Sequence, residues 1–273
     1  MVRGGWHRVL LAPLRLAPAT LAAEALSRAW DAAEVRISTG RKTLKFFAPT
    51  PILRMRAETA MSKEPETIEW LDGIGADDVL WDIGANIGLF SLYAAAERAC
   101  RVLAFEPSAG NYMVLTRNVQ INGLDDRISA YALALSGDTC LGVLNLDSSA
   151  LGTAMNEFGR AGATSPYSSN PHPQGHGMIG ITVDEFASRF APPLPTHIKL
   201  DVDGLEWPIL QGAIATLKSP RLKSIIVELS ITNRAERERS IALLGSCGLH
   251  LRLQAGPQGE TAEKGANHLF VRA

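Results

Sequence analysis

Residues 79–88 read Val-Leu-Trp-Asp-Ile-Gly-Ala-Asn-Ile-Gly. An apolar run passes into G-x-N-x-G and then into a helical pattern. Glycines in such a turn let the backbone approach a ligand closely, and the helix start behind them offers free N–H groups and a partial positive charge. The plain alternative is a strand–turn–helix junction that needs small residues only. Asp82 ends the strand, where a carboxylate suits an ammonium or a hydroxyl better than a pyrophosphate. Glu106 comes 18 residues after Gly88, at the end of the next apolar run. Its two oxygens there can accept hydrogen bonds from a ribose diol. Together the two carboxylates ask for a nucleoside with a cationic tail and no required phosphate. S-adenosylmethionine meets that description. A nicotinamide dinucleotide meets it less well, because its G-x-G-x-x-G fingerprint is broken by Asn86.

A second constellation is His197-Ile198-Lys199-Leu200-Asp201-Val202-Asp203-Gly204-Leu205-Glu206. Lys199, Asp201 and Asp203 alternate within an apolar strand pattern and so share one face. Charges on a buried strand are costly unless paired or functional. The spacing therefore leaves two readings: a buried ion pair, or groups that position and deprotonate a hydroxyl. Glu228 ends a later strand at the same sheet edge, where it either touches the acceptor or caps the following helix. His172 and His176 are four apart, but Pro171, Pro173 and Gly175 forbid a helix there, so a loop is the better reading than a metal pair.

The elements that must position these groups begin at residue 76. Strands are expected at 79–83, 101–105, 128–135, 197–202 and 222–229, with helices at 87–96, 111–122, 206–217 and 235–247. A closing antiparallel pair is expected at 249–254 and 268–271. This alternation predicts an α/β fold with a mostly parallel sheet and helices on both faces. Residues 137–195 interrupt the rhythm with a hairpin at 141–146 and a Gly/Pro-rich run at 164–180. A long insertion of this kind marks the expected substrate lid. Before the main domain, residues 1–34 read as a basic arm with a helix from 19 to 34. Residues 35–75 read as a preface of one hairpin, at 35–47, and one helix, at 63–73.

Three ordered motifs carry a family resemblance: D-I-G-A-N-I-G at 82–88, F-E-P-S at 105–108 followed by Asn111, and I-K-L-D-V-D-G-x-E at 198–206. Lys63-Glu64-Pro65-Glu66-Thr67 and Ile226-Val227-Glu228 add to it. Over residues 35–273 the chain resembles the FkbM family of S-adenosylmethionine-dependent methyltransferases. The resemblance implies a class I, Rossmann-like fold with a seven-stranded sheet whose last strand is antiparallel. It implies methyl transfer to a hydroxyl of a small natural product or sugar. Asp82, Gly84, Asn86 and Gly88 would line the methionine and ribose end, Glu106 would hold the ribose hydroxyls, and Asp138 would reach the adenine amino group. Lys199, Asp201 and Asp203 would face the transferring methyl, with Asp201 or Asp203 as base, and Glu206 and Glu228 would meet the acceptor. No resident metal is expected. An NAD-dependent oxidoreductase and a non-catalytic cofactor-binding module are the competing readings.

Composition sets the outer limits. Of 273 residues, 46% are hydrophobic and 20% charged, which excludes a disordered chain. No uninterrupted apolar run is long enough to span a bilayer. The net charge of −1 conceals an asymmetry. Residues 1–56 hold ten Lys/Arg against three Asp/Glu, and residues 57–273 hold seventeen against twenty-five. An acidic body without an Asn/Asp-Pro-Pro-Tyr signature speaks against nucleic-acid methylation. The basic arm suits a weak contact with an anionic membrane surface or a protein. The three cysteines, at 100, 140 and 247, form no ligand spacing, and free thiols in a reducing cytoplasmic compartment are expected.

Overall fold

A computed structural model describes residues 19–154, 156–160, 174–202, 204–255 and 265–273. The chain opens with helix α1 (Ala19–Asp31), a hairpin of β1 (Glu34–Ser38) and β2 (Thr43–Phe47), and helices α2 (Pro51–Glu58) and α3 (Pro65–Asp72). The doubly wound part follows as β3 (Val79–Ile83), α4 (Leu89–Arg98), β4 (Arg101–Phe105), α5 (Ala109–Asn122) and β5 (Ile128–Tyr131). Next come β6 (Ala134–Leu135), β7 (Cys140–Leu146), β8 (Glu157–Arg160), β9 (Gln174–Ile181) and α6 (Val183–Phe190). The chain returns through β10 (His197–Leu200), α7 (Glu206–Gln211), α8 (Ile214–Lys218), β11 (Ser224–Ser230) and α9 (Arg234–Ser246), and closes with β12 (Leu249–Gln254) and β13 (Gly265–Arg272).

The main sheet has seven strands in the order β12-β13-β11-β10-β3-β4-β5. Only β13 runs against the rest, inserted between β11 and β12. This is the class I methyltransferase topology that the resemblance implied. Every residue of β3 is buried, as expected of a central parallel strand covered on both faces. Alternation sorts the cores. Leu80, Val102 and Ala104 face one core with Leu92 of α4, Leu115 of α5 and Phe46 of the hairpin. Val79, Trp81, Ile83, Leu103 and Phe105 face the other, with Phe186, Ile209 and Leu244. The order of strands reverses between β10 and β3, so their carboxyl ends open one crevice.

Several elements depart from the sequence pattern. The expected strand 128–135 bends at Leu133 and divides between two sheets, because β6 pairs with β9 and not with β4. β6, β9, β7 and β8 form a four-stranded sheet of their own. The second half of the Gly/Pro-rich run is therefore strand β9, which carries His176; His172 lies outside the described residues. The helix expected at 206–217 is two short helices. The Asp184 carboxylate accepts hydrogen bonds from the backbone N–H groups of Ala215 and Thr216 at 2.7 and 2.8 Å and so starts α8 afresh. Helix α2 has no counterpart in the pattern reading. Its signal was the Thr50-Pro51 start: Thr50 caps the Leu53 N–H and proline takes the first turn.

Candidate active site

The loop between β3 and α4 is built on left-handed backbone. Gly84, Asn86 and Gly88 have φ of 86°, 49° and 85°. The two glycines also answer a packing demand. A Cβ on Gly84 would stand 1.9 Å from the Asp201 carbonyl oxygen, and one on Gly88 would stand 2.3 Å from Leu115 Cδ1. Their smallness therefore lets β10 and α5 close on the loop, which is a different reason from close approach to a ligand. Glu106 is buried at the end of β4 and braces the same loop. Its Oε2 accepts the Asn86 N–H at 2.7 Å and its Oε1 accepts the Ser108 N–H at 2.8 Å.

Asp82 is fully enclosed beside this loop. Its Oδ2 accepts the Ser91 hydroxyl at 2.5 Å, while Oδ1 is buried with no hydrogen-bond partner in the protein. Burial pushes the Asp82 carboxyl above the ordinary range, against the pull of Lys199 and Ser91. The parallel register sets Lys199 next to Asp82. Lys199 Nζ bonds Asp201 Oδ2 at 2.7 Å, stands 4.0 Å from Glu64 Oε2, and lies 4.7 Å from the Phe90 ring centroid. Burial alone would strip this ammonium, but the charges of Asp201, Glu64 and Asp82 hold its pKa above the ordinary lysine value. Asp201 is likewise pushed up by burial, and Lys199 more than reverses that, so the carboxyl stays ionised.

Two further carboxylates face this pair. Glu228 is pushed up to about 8, first by the charge of Asp201 and then by burial. Glu206 is pushed up to about 7 by burial, against the backbone N–H groups it accepts. Those are Val202 N at 3.1 Å and Gly204 N at 3.2 Å, both on Glu206 Oε1. Glu206 thus shapes the turn after β10 that carries Asp201, a role other than the acceptor contact expected from the sequence. Asp203 lies outside the described residues. Asp138 is exposed beyond β6, and it does not line the cavity at the sheet edge. That cavity is walled by Phe105, Pro107, Leu133, Leu135, Val202 and Ile209, with Asn156 at its margin. Among the described residues, no three His, Cys, Asp or Glu side chains form a group that could hold a metal ion.

The pattern reading did not assign Glu64, Ser91, Asn111 or Asn156 to the site. Glu64 had a signal in the Lys63–Thr67 motif. It reaches the site from the start of α3, where Thr67 Oγ1 donates to its Oε2 at 3.0 Å and Asn267 Nδ2 donates to the same oxygen at 3.2 Å. Asn156 had none, because it comes from the insertion.

A family model described as a methyltransferase FkbM domain matches residues 82–248, more than half of the chain. The chain belongs to the FkbM methyltransferase family. Hexuronic acid methyltransferase AglP of Haloferax volcanii is 30% identical over 165 residues, 56% of this chain and 56% of that protein. Methyltransferase sdnD of Sordaria araneosa is 45% identical over 56 residues, 20% of this chain and 22% of that protein. The chain spans about half the length of the first of these relatives and less of the second. The solved structure of M. jannaschii TYW2 in complex with AdoMet superposes with a TM-score of 0.46 at 11% identity, covering 88% of this chain and 87% of that one. S-adenosylmethionine is the methyl donor of the FkbM family. The residues present fit it. An apolar slot at the sheet edge suits a flat adenine ring, Glu106 stands beside it, and Asp82 Oδ1 and Asn86 Oδ1 are buried acceptors without partners.

Proposed function

We propose that this protein transfers the methyl group of S-adenosylmethionine to a hydroxyl of a small natural product or sugar. The observation that carries the reading is the Lys199–Asp201 pair, held at 2.7 Å in the crevice between β10 and β3 beside the cofactor loop. In this reading Asp82, Gly84, Asn86, Gly88 and Glu106 hold the donor's polar end, and Phe105, Val202 and Ile209 enclose its base. The donor, when bound, supplies a methyl group made electrophilic by its sulfonium. Lys199 occupies Asp201 Oδ2, which leaves Oδ1 to take the acceptor's proton. The buried wall excludes water, and alignment of the two reactants is worth roughly 7–11 kcal/mol in such reactions. Glu228, largely protonated at neutral pH, donates a hydrogen bond to the acceptor or to Asp201. Asp203 is the alternative base.

The acceptor class rests on the hexuronic acid named for the Haloferax relative. Residues 137–195 supply the acceptor wall, since Leu144, Asn156 and Phe158 reach the cavity from there. The same proposal divides the chain at 1–34, 35–75 and 76–273. It places the protein in the cytoplasm, on the strength of three free cysteines. Among the described residues no helix is long and apolar enough to cross a membrane. The test is incubation of the full chain with methyl-labelled S-adenosylmethionine and fractionated small-molecule and glycan pools. Label should enter a hydroxyl-bearing fraction. Calorimetric binding of NAD in place of S-adenosylmethionine would overturn the reading.

A further inference from the structure

The turn at Gly152–Thr153, in the loop that leaves β7, is fastened at four points. Gly152 N donates to Asn111 Oδ1 at 2.8 Å, and Asn111 Nδ2 donates to the Thr153 carbonyl at 3.0 Å. Asn86 Nδ2 donates to the same carbonyl at 3.1 Å, and Arg56 Nε donates to the Gly152 carbonyl. Gly152 has φ of +81°, and a Cβ there would meet Leu53 Cδ2 at 2.8 Å, so glycine alone suits the position. Asn111 is 1% exposed and spends both ends of its amide on this turn. Residues 148–150 of the same loop are exposed, so these hydrogen bonds, rather than a core, hold the segment. Asn86 is the shared member. Its backbone N–H bonds Glu106 while its side chain bonds Thr153.

We propose that Asn111 is a positioning residue that fastens the insertion to the cofactor loop, so that donor binding also orders the wall facing the acceptor. The proposal rests on the methyltransferase reading. A ligand that steadies Asn86 and Glu106 steadies the Thr153 carbonyl through Asn86, and Asn111 carries that order to the Gly152 amide. By linkage, a wall held in place in turn tightens donor binding.

The test is hydrogen exchange and calorimetry on the full chain with S-adenosylhomocysteine as probe, in wild type, Asn111→Ala and Asn111→Asp. The aspartate keeps the side chain's size and its acceptor for Gly152 N but cannot donate to Thr153. In wild type the probe should slow exchange of the residue 147–154 amides by about tenfold, a factor that one or two hydrogen bonds supply. In both variants that protection should disappear and the probe's affinity fall about tenfold, while its protection of β3 and β4 persists. A merely structural asparagine would speed exchange equally with and without probe. That result overturns the proposal, as does a wild type that binds the probe without protecting 147–154. A wild type that binds no probe overturns the methyltransferase reading itself, and this proposal with it.

Discussion

At the scale of residues, the site is a negotiation among buried charges. Lys199 neutralises Asp201 and moderates Asp82 and Glu64, and no single carboxylate can be read apart from it. Removing the Asp201 charge should cost the proton acceptor and leave the fold. Asp201→Asn is expected to lower turnover by about 10²–10⁴-fold, the range general-base loss produces, with the donor's affinity nearly unchanged. Steady-state rates and donor calorimetry check this. Glu228 gives a pH signature. Its folded pKa of about 8 lies above the ordinary value of 4.5, so the native state prefers the protonated acid. Its favourable contribution is complete below pH 4.5 and is lost as pH rises through 8. Glu228→Gln, which mimics the protonated form, should match wild type near pH 5 and melt higher at pH 9. Thermal melts at the two pH values decide it.

At the scale of elements, the cofactor loop is held by what closes on it. Helix α4 begins at Gly88 with left-handed backbone and no side-chain cap, and Leu115 of α5 fills the space where a Cβ would stand. Gly88→Ala should destabilise through that overlap and through backbone strain, by about 2–4 kcal/mol. Adding Leu115→Ala should recover part of the loss, because the two sites share one contact. Chemical denaturation of the two single variants and the double variant measures the coupling, and strict additivity would refute the packing account. The pattern reading placed β3 and β4 correctly because their apolar runs are short, continuous and bounded by turn residues. It joined β5 to β6 because Ala132-Leu133 continues the apolar pattern. Only pairing partners distinguish the two strands.

At the scale of the whole molecule, the charge asymmetry becomes partly spatial. The acidic excess includes the carboxylates around Lys199. The basic end carries α1, none of whose residues is buried, with Leu21, Leu26 and Trp30 exposed. Trp30 touches Phe47 edge-on at 5.7 Å and Asp31 pairs with Arg117 at 3.3 Å, so the helix is tethered at its C-terminal end. Residues 1–18 hold three arginines and no carboxylate. An apolar helix face beside such a segment suits an anionic bilayer surface. The full chain should sediment with phosphatidylserine-containing vesicles at low salt. Leu21→Ser with Leu26→Ser should weaken that by several-fold, and equal sedimentation of the double variant would exclude a role for α1.

The sequence by itself determined the class of fold, the cofactor loop and the carboxylates at its strand ends. Those signals are local: the period of burial, the glycines of a left-handed turn, and charges that an apolar strand tolerates only for a reason. Tertiary structure decided what each group is for. Lys199 meets Asp82 through parallel register, across more than a hundred residues of chain. Glu206 turns back on its own loop, Glu64 arrives from α3, and Gly84 is small because Asp201 passes over it. Asn111 finds Gly152 because the insertion folds into its own sheet and returns to the sheet edge. Such meetings depend on which distant segments come to rest together, and no local spacing encodes that.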